Sequence, residues 1–371
     1  MTHKKISEKI ANLSPEEKNA LLKKLQQTLQ KEGSAVSSIY NPLLPFGYDI
    51  LIPNFSKIQA HNYTIDPPGP NQVQIQVKAV GLNFRDLMIA LNRYPQTPGI
   101  PSTMGSDYAG VVTACGEHVS QFKSGDEVIA LYEGTSSPYH FSTHVNVYDV
   151  QICQKPKNIS FREASCIPTV FLTAFHGLCN LGRLAQGESV LIHSATGGVG
   201  LAAIQIARWK KAQIFATAGS DEKRAYLRSI GISHPLHSRT LDFADAIMES
   251  TDGKGIDVIL NTLPGEALEK GLEILKIFGR LVQIDKTEIY QNNSIELKSF
   301  KKALSFSFLD LSLFYLNETI KLILQRVKEL FEDGSFQPLP YKFFHHTEIN
   351  QALLYMAQGK HIGKIVIGWD I

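Results

Sequence analysis

Residues 188–211 read ESVLIHSATGGVGLAAIQIARWKK. A short apolar run ends at His193, glycines follow, and a stretch of small apolar residues then has the spacing of a helix. The turn Ala195-Thr196-Gly197-Gly198-Val199-Gly200 is the G-x-G-x-x-G pattern with alanine in its first place. Gly197 lets a pyrophosphate approach the backbone, and Gly200 lets the helix pack close to the strand. The helix start offers N–H groups and a positive dipole end to phosphates. The rhythm continues with QIFATA (213–218), the charged helix SDEKRAYLRSI (220–230), IDVILNT (256–262) and GRLVQI (279–284). Alternating strand and helix predicts a parallel sheet covered by helices on both faces.

The second strand selects among dinucleotides. A site for NAD carries Asp or Glu at that strand's tip, ~20 residues past the glycines, on the ribose 2′-hydroxyl. Here the tip is Ala218-Gly219-Ser220, without a carboxylate. Lys223 and Arg224 follow within a helical turn, and Arg239 lies in HSRTLDF (237–243). A cation pairs with a 2′-phosphate and Ser220 can hydrogen-bond to it, so the composition points to NADPH.

Outward from this core the pattern changes. Between about 47 and 160, β-type runs such as VQIQVKAV (73–80), YAGVVTAC (108–115) and DEVIALY (126–132) are punctuated by Gly and Pro, which predicts a partly closed β-barrel. Residues 5–32 have helical spacing, with Ser14-Pro15-Glu16-Glu17 as a helix start, and read as a linker or docking helix. After 311 come LNETIKLILQRVKELFEDG, EINQALLYMAQG and a final strand, KIVIGW. Of the 371 residues, 37 are Lys or Arg and 35 Asp or Glu, a net charge of +2 that gives no electrostatic reason to expect nucleic acid. No apolar run approaches the ~20 residues of a membrane helix, and no secretory signal is expected. Cys115, Cys153, Cys166 and Cys179 are too scattered for a disulfide framework or a zinc lobe, which suits a reduced, cytoplasmic protein. His140, His144, His193, His345 and His346 form no catalytic spacing and read as structural.

Nine motifs then follow in order: GLNFRDLMIALNRYP (81–95), MGSDYAGVV (104–112), PTVFLTAFHGL (168–178), GESVLIHSATGGVGLAAIQIAR (187–208), ATAGSDEKRAYLRSIG (216–231), SRTLDFAD (238–245), GKGIDVILNTLPGE (253–266), GRLVQIDKTEI (279–289) and GKHIGKIVI (359–367). From about residue 45 to 371 this set resembles the enoyl reductase domain of modular polyketide synthases, in the zinc-free branch of the medium-chain dehydrogenase/reductase superfamily. The enoyl reductase of animal fatty acid synthase is similar. The resemblance implies an α/β fold, a Rossmann doubly wound parallel sheet inserted in a GroES-like β-barrel substrate domain with an N-terminal helical extension. The implied division is 1–39 for the extension, 40–165 with 311–371 for the barrel, and 166–310 for the NADPH-binding sheet.

The implied reaction is reduction of an α,β-enoyl thioester held on the phosphopantetheine arm of an acyl carrier protein, beside other polyketide synthase domains. Hydride goes to the β-carbon and a proton to the α-carbon. The resemblance makes Lys286, paired with Asp310, the first candidate acid and Tyr94 the second. It sets Asn83 and Thr173 near the nicotinamide or substrate, and adds Asn261 and Lys364 to the cofactor-binding residues. Zinc-dependent relatives carry Cys and Gly-His-Glu where this chain has Asn83 and Gly105-Ser106-Asp107, so no metal is expected. Two departures stand out. Asp285 replaces the family's glycine beside Lys286, and Glu288 replaces an aspartate. Three other readings remain at this point: a cyclopropane-forming variant that diverts the enolate of a halogenated substrate, a zinc-free quinone-type reductase, and an NADPH-binding protein without turnover.

Overall fold

The computed structural model describes residues 40–50, 58–91, 94, 103–132, 139–286, 289, 291–314 and 316–369. The expected helical prefix, the tip of the 131–144 loop and Glu288 lie outside the described residues. The chain divides into two compact units. The first holds the described residues up to Lys155 together with Ile159–Cys166 and those from Tyr341 onward; the second holds Pro156–Asn158 and Ile167–Pro340.

In the first unit β1 (Phe46–Ile50) pairs antiparallel with β2 (Ile58–Asn62). The long β3 (Gln72–Leu82) pairs antiparallel with β4 (Asp107–Cys115), which in turn carries β5 (Glu127–Leu131). On β3, Val73, Ile75 and Val77 are buried while Gln72, Gln74 and Gln76 are half-exposed, the period-two pattern of a strand with one face on a core. β6 (His144–Tyr148) lies on β3 and β7 (Ile152–Gln154) on β5. The β3–β4 register slips between Gln74 and Ile75 and again between Val77 and Ala79; such slips bend a sheet toward closure.

The second unit is built on six parallel strands: β8 (Ser189–Ile192), β9 (Gln213–Ala218), β10 (Leu236–His237), β11 (Ile256–Asn261), β12 (Leu275–Gln283) and β13 (Ser305–Phe308), in the order β10-β9-β8-β11-β12-β13. That is the doubly wound order 3-2-1-4-5-6, and its direction reverses between β8 and β11. Val190, Leu191, Val258, Ile259 and Leu260 are buried, as continuous apolar runs in a sheet covered on both faces require. Each such side chain contributes about 1.5–3 kcal/mol by leaving water. The chain then returns to the first unit through β14 (Tyr341–His345) and β15 (Lys364–Gly368), the latter antiparallel to β3.

The largest difference from the expected boundaries lies after residue 310. Residues 311–340 belong with the parallel sheet rather than with the barrel. The reason is the amphipathic helix Glu318–Glu332, which buries Ile320, Ile323, Leu324, Val327 and Phe331. Phe331 meets Phe171 edge-on at 5.0 Å and Phe336 at 5.9 Å, all within the second unit.

Candidate active site

The glycine turn has the geometry its sequence implies. A Cβ on Gly200 would stand 2.5 Å from Ala195 Cα, so any side chain there would force the helix Gly198–Trp209 off the turn. A Cβ on Gly197 would meet nothing nearer than Ser194 O at 3.4 Å; the glycine keeps a space open rather than relieving an internal clash. Gly197 ends the turn without a side-chain cap, and the first helical bond of this turn runs from Leu201 N to Gly197 O. The N–H groups of the first turn therefore lack intrahelical acceptors and are suited to phosphate. Ala195 and Thr196 are buried; Ala195 N ties the turn to Thr217 O of β9. Ser194 and Thr262 hydroxyls, 2.8 Å apart, join the loops after β8 and β11 where the strand order reverses.

At the tip of β9, Ser220 caps the helix Asp221–Ser229 by accepting from Lys223 N at 3.3 Å. Arg239 Nε lies against Gly219, 3.1 Å from where a Cβ would be. Burial and then the nearby Arg239 charge depress the Lys223 pKa, and Glu222 only partly opposes this. Lys223 and Arg239 thus gather at the end of the second strand, an arrangement that an anionic group would relieve, while Arg224, which donates to Ala218 O at 3.1 Å, is paired with Asp221. Together with the open glycine turn, this fits a nicotinamide dinucleotide. Asn261 behaves differently. Its Nδ2 donates to Leu263 O at 2.7 Å and to Gln283 Oε1 at 2.6 Å, and its Oδ1 accepts from Leu263 N, so its amide holds the end of β11 to β12.

Lys286 and Asp310 meet because β12 and β13 are adjacent and parallel, with Gln283 opposite Phe308. Each side chain follows the carboxyl end of its strand, where ligands of such sheets bind. Lys286 Nζ donates to Asp310 Oδ2 at 2.6 Å, and Asp310 Oδ1 accepts from Ser312 N at 2.9 Å and Ser312 Oγ at 2.7 Å. The lysine side chain is 27% exposed and the aspartate 3%. Burial pushes the Asp310 carboxyl up, but the bonds from Lys286 and Ser312 outweigh it and hold the group below the ordinary carboxylate range. Ser312 was not legible as a partner, although an Asp followed two residues later by Ser is a turn signal that could have flagged it.

Asn83, Tyr94 and Lys364 belong to the first unit. Tyr94 is half-buried; its N–H donates to Met88 O at 3.1 Å and Arg85 lies over its ring at 5.1 Å. Lys364 Nζ donates to Asn83 Oδ1 at 2.6 Å and to Asp107 Oδ2 at 2.9 Å, while Asn83 Nδ2 donates to Ser106 Oγ at 3.3 Å. The positions compared with zinc ligands are thus gathered around the chain's own ammonium. Among the described residues there is no group of three or more His, Cys, Asp or Glu that could hold a metal ion. Metal analysis of purified protein is expected to find far less than one zinc per chain, because an amide and a hydroxyl are poor zinc ligands and the carboxylate is taken by Lys364; stoichiometric, tightly held zinc would contradict this. Thr173 is buried in the helix Pro168–Phe175 of the second unit. No helix among the described residues is long and apolar enough to cross a membrane.

Comparison with known proteins follows the same outline. The alcohol dehydrogenase GroES-like domain family matches residues 69–157, and the zinc-binding dehydrogenase family matches 198–329. A phenolphthiocerol/phthiocerol polyketide synthase component of Mycobacterium tuberculosis is 40% identical over 312 residues, 84% of this chain. The chain spans only 14% of that relative's length. The solved CurK enoyl reductase is 38% identical, with a TM-score of 0.78 over 88% of this chain and 99% of its own. The CurF ER cyclopropanase from the curacin A biosynthetic pathway is 34% identical, with a TM-score of 0.78 over the same shares.

Proposed function

We propose, because the chain belongs to the enoyl reductase domains of polyketide synthases within the medium-chain dehydrogenase/reductase superfamily, that it reduces an α,β-enoyl thioester carried by an acyl carrier protein, with NADPH as the reductant. The observation that carries this reading is the Lys286–Asp310 pair at 2.6 Å, a proton source at the carboxyl edge of the sheet that holds the glycine turn. Bound at that turn, NADPH supplies a hydride to the substrate's β-carbon. Gly197, Gly198, Val199 and Gly200 receive its pyrophosphate through the helix start, and Ser220, Lys223 and Arg239 take its 2′-phosphate.

The remaining work falls to side chains. Negative charge builds on the thioester oxygen as the β-carbon is reduced, and a donor such as the Asn83 amide stabilises it. Lys286 holds a proton at Nζ, and Asp310, fixed by Ser312, aims the ammonium and keeps it charged. The α-carbon takes its proton from Lys286 or, as the second candidate, from the Tyr94 hydroxyl. Thr173 borders the substrate. The partners in this reading are the carrier protein, with its phosphopantetheine arm, and the other domains of a synthase in a reducing cytoplasm; the free thiols of Cys115, Cys153, Cys166 and Cys179 suit that compartment.

Incubating the protein with NADPH and a panel of carrier-bound enoyl thioesters is expected to oxidise the cofactor and add two mass units to the acyl chain. γ-Halogenated enoyl thioesters test for diversion of the enolate, read as loss of the halide with a cyclopropane mass. Turnover of free quinones with none of carrier-bound substrates would overturn the reading.

A further inference from the structure

Lys364 has no task in the hydride or proton transfer just described, yet it is among the most enclosed charges in the first unit. Its side chain is 3% exposed and its partner Asp107 is fully buried. β15, β3 and β4 are neighbours, with Ile365 opposite Leu82 and Gly81 opposite Asp107, so the three strands deliver Lys364, Asn83 and Asp107 to one point. The lysine stem reaches that point over Gly81, where a Cβ would stand 3.2 Å from Lys364 Cε and 2.1 Å from Ser165 O. A buried ion pair is a weak stabilising device, because desolvating the two charges offsets most of their attraction. What this one does is orient. An ammonium has donors only, and a side-chain amide has one accepting and one donating face. With Lys364 Nζ on Asn83 Oδ1 at 2.6 Å and Asp107 holding the ammonium from the other side, the amide is kept from turning over.

We infer that Lys364 is a positioning residue: its ammonium, anchored on Asp107, holds Asn83 Oδ1 while Asn83 Nδ2 donates to Ser106 Oγ at 3.3 Å, so the amide keeps the single orientation in which it serves as a donor to the substrate. The inference rests on the enoyl reductase reading for what Asn83 donates to. It also reassigns Lys364, which the family resemblance had grouped with the cofactor-binding residues.

The test is a double-mutant cycle of Lys364→Met and Asn83→Ala, with NADPH affinity followed by cofactor fluorescence. Lys364→Met keeps the length of the stem and removes the donor. It is expected to lower kcat about 10- to 100-fold through misorientation, with an unchanged Kd for NADPH, and the double variant is expected to be no slower than Asn83→Ala alone. Additive losses, or a raised NADPH Kd with kcat intact, overturn the inference. Asp107→Asn, which keeps the shape and frees the ammonium, is expected to repeat the non-additive loss and stands in if Lys364→Met does not fold. A second readout needs no turnover. In the 15N spectrum of the cofactor-free protein, the Asn83 side-chain NH2 signals, identified by their disappearance in Asn83→Ala, are expected to shift and broaden in Lys364→Met. Unmoved signals refute the inference. If the unmodified protein turns over no enoyl thioester, the functional reading fails, whereas these signals still report whether Lys364 holds Asn83.

Discussion

Lys286→Met is expected to reduce kcat for carrier-bound enoyl thioesters by about 100-fold or more, the usual contribution of a positioned general acid. NADPH affinity is expected to stay as it is, since Lys286 is not among the groups placed on the phosphates. The loss comes from removing the ammonium that donates to Asp310 Oδ2 from 2.6 Å away, while Oδ1 stays committed to Ser312. Asp310→Asn is expected to cost less than Lys286→Met, because the ammonium remains but its charge is no longer matched. The pH dependence follows from the sign of the Asp310 shift. Its folded pKa lies below the ordinary carboxylate value. The pairing is therefore fully present above that ordinary value, ~3.9, and is lost only as pH falls through the lower folded value. Initial rates from pH 8 down to the limit of stability are thus expected to show no acid limb from this pair above about pH 4. An acid limb near neutrality that disappears in Asp310→Asn would contradict the assignment, and full activity in Lys286→Met would move the proton source elsewhere. Tyr94→Phe combined with Lys286→Met, run in deuterated water, then shows which face of the α-carbon receives the residual proton.

The sheet was legible because its signal is local. β8 and its helix are adjacent in sequence, the glycines mark the turn, and apolar runs identify β9 and β11 without any tertiary information. The Lys286–Asp310 pair was reachable only through the motif resemblance, since the two residues lie 24 apart and meet because β12 and β13 happen to be neighbours. The strand β13 itself, SFSF, is four residues long and too short to carry a signal of its own. The placement of 311–340 was missed for a related reason: the face Ile320, Leu324, Val327 and Phe331 announces a buried helix, but nothing in its periodicity says which core buries it. The grip of the Asn261 amide on Gln283 across two strands is a partnership that spacing could not supply. The Lys364–Asn83 contact spans 281 residues and depends on β15 returning beside β3, which only the folded chain reveals.

The other large effect concerns the cofactor's phosphate. Replacing Lys223 and Arg239 together by alanine is expected to raise the Kd for NADPH by about 100-fold or more. Each charge-assisted bond to a phosphate contributes roughly 1.5–3 kcal/mol, and about 1.4 kcal/mol is a factor of ten. Arg239 is exposed, so its share shrinks with ionic strength, and the discrimination between NADPH and NADH is expected to narrow in high salt. NADH, which lacks the phosphate, is expected to bind the double variant as well as it binds the unmodified protein. An equal loss for both cofactors would mean that the two side chains support the fold of the β9 tip rather than reading the phosphate. The proton balance gives an independent check. Burial and the Arg239 charge hold the Lys223 pKa below its ordinary value. A lysine depressed in this way releases its proton earlier as pH rises, so NADPH affinity is expected to fall at an alkaline pH below ~10.4, where an ordinary lysine would still be charged. A phosphate placed between the two cations offsets the Arg239 repulsion and favours the charged lysine. Binding of NADPH near that pH must therefore take up protons, binding of NADH must not, and calorimetry in buffers of different ionisation heat separates the two.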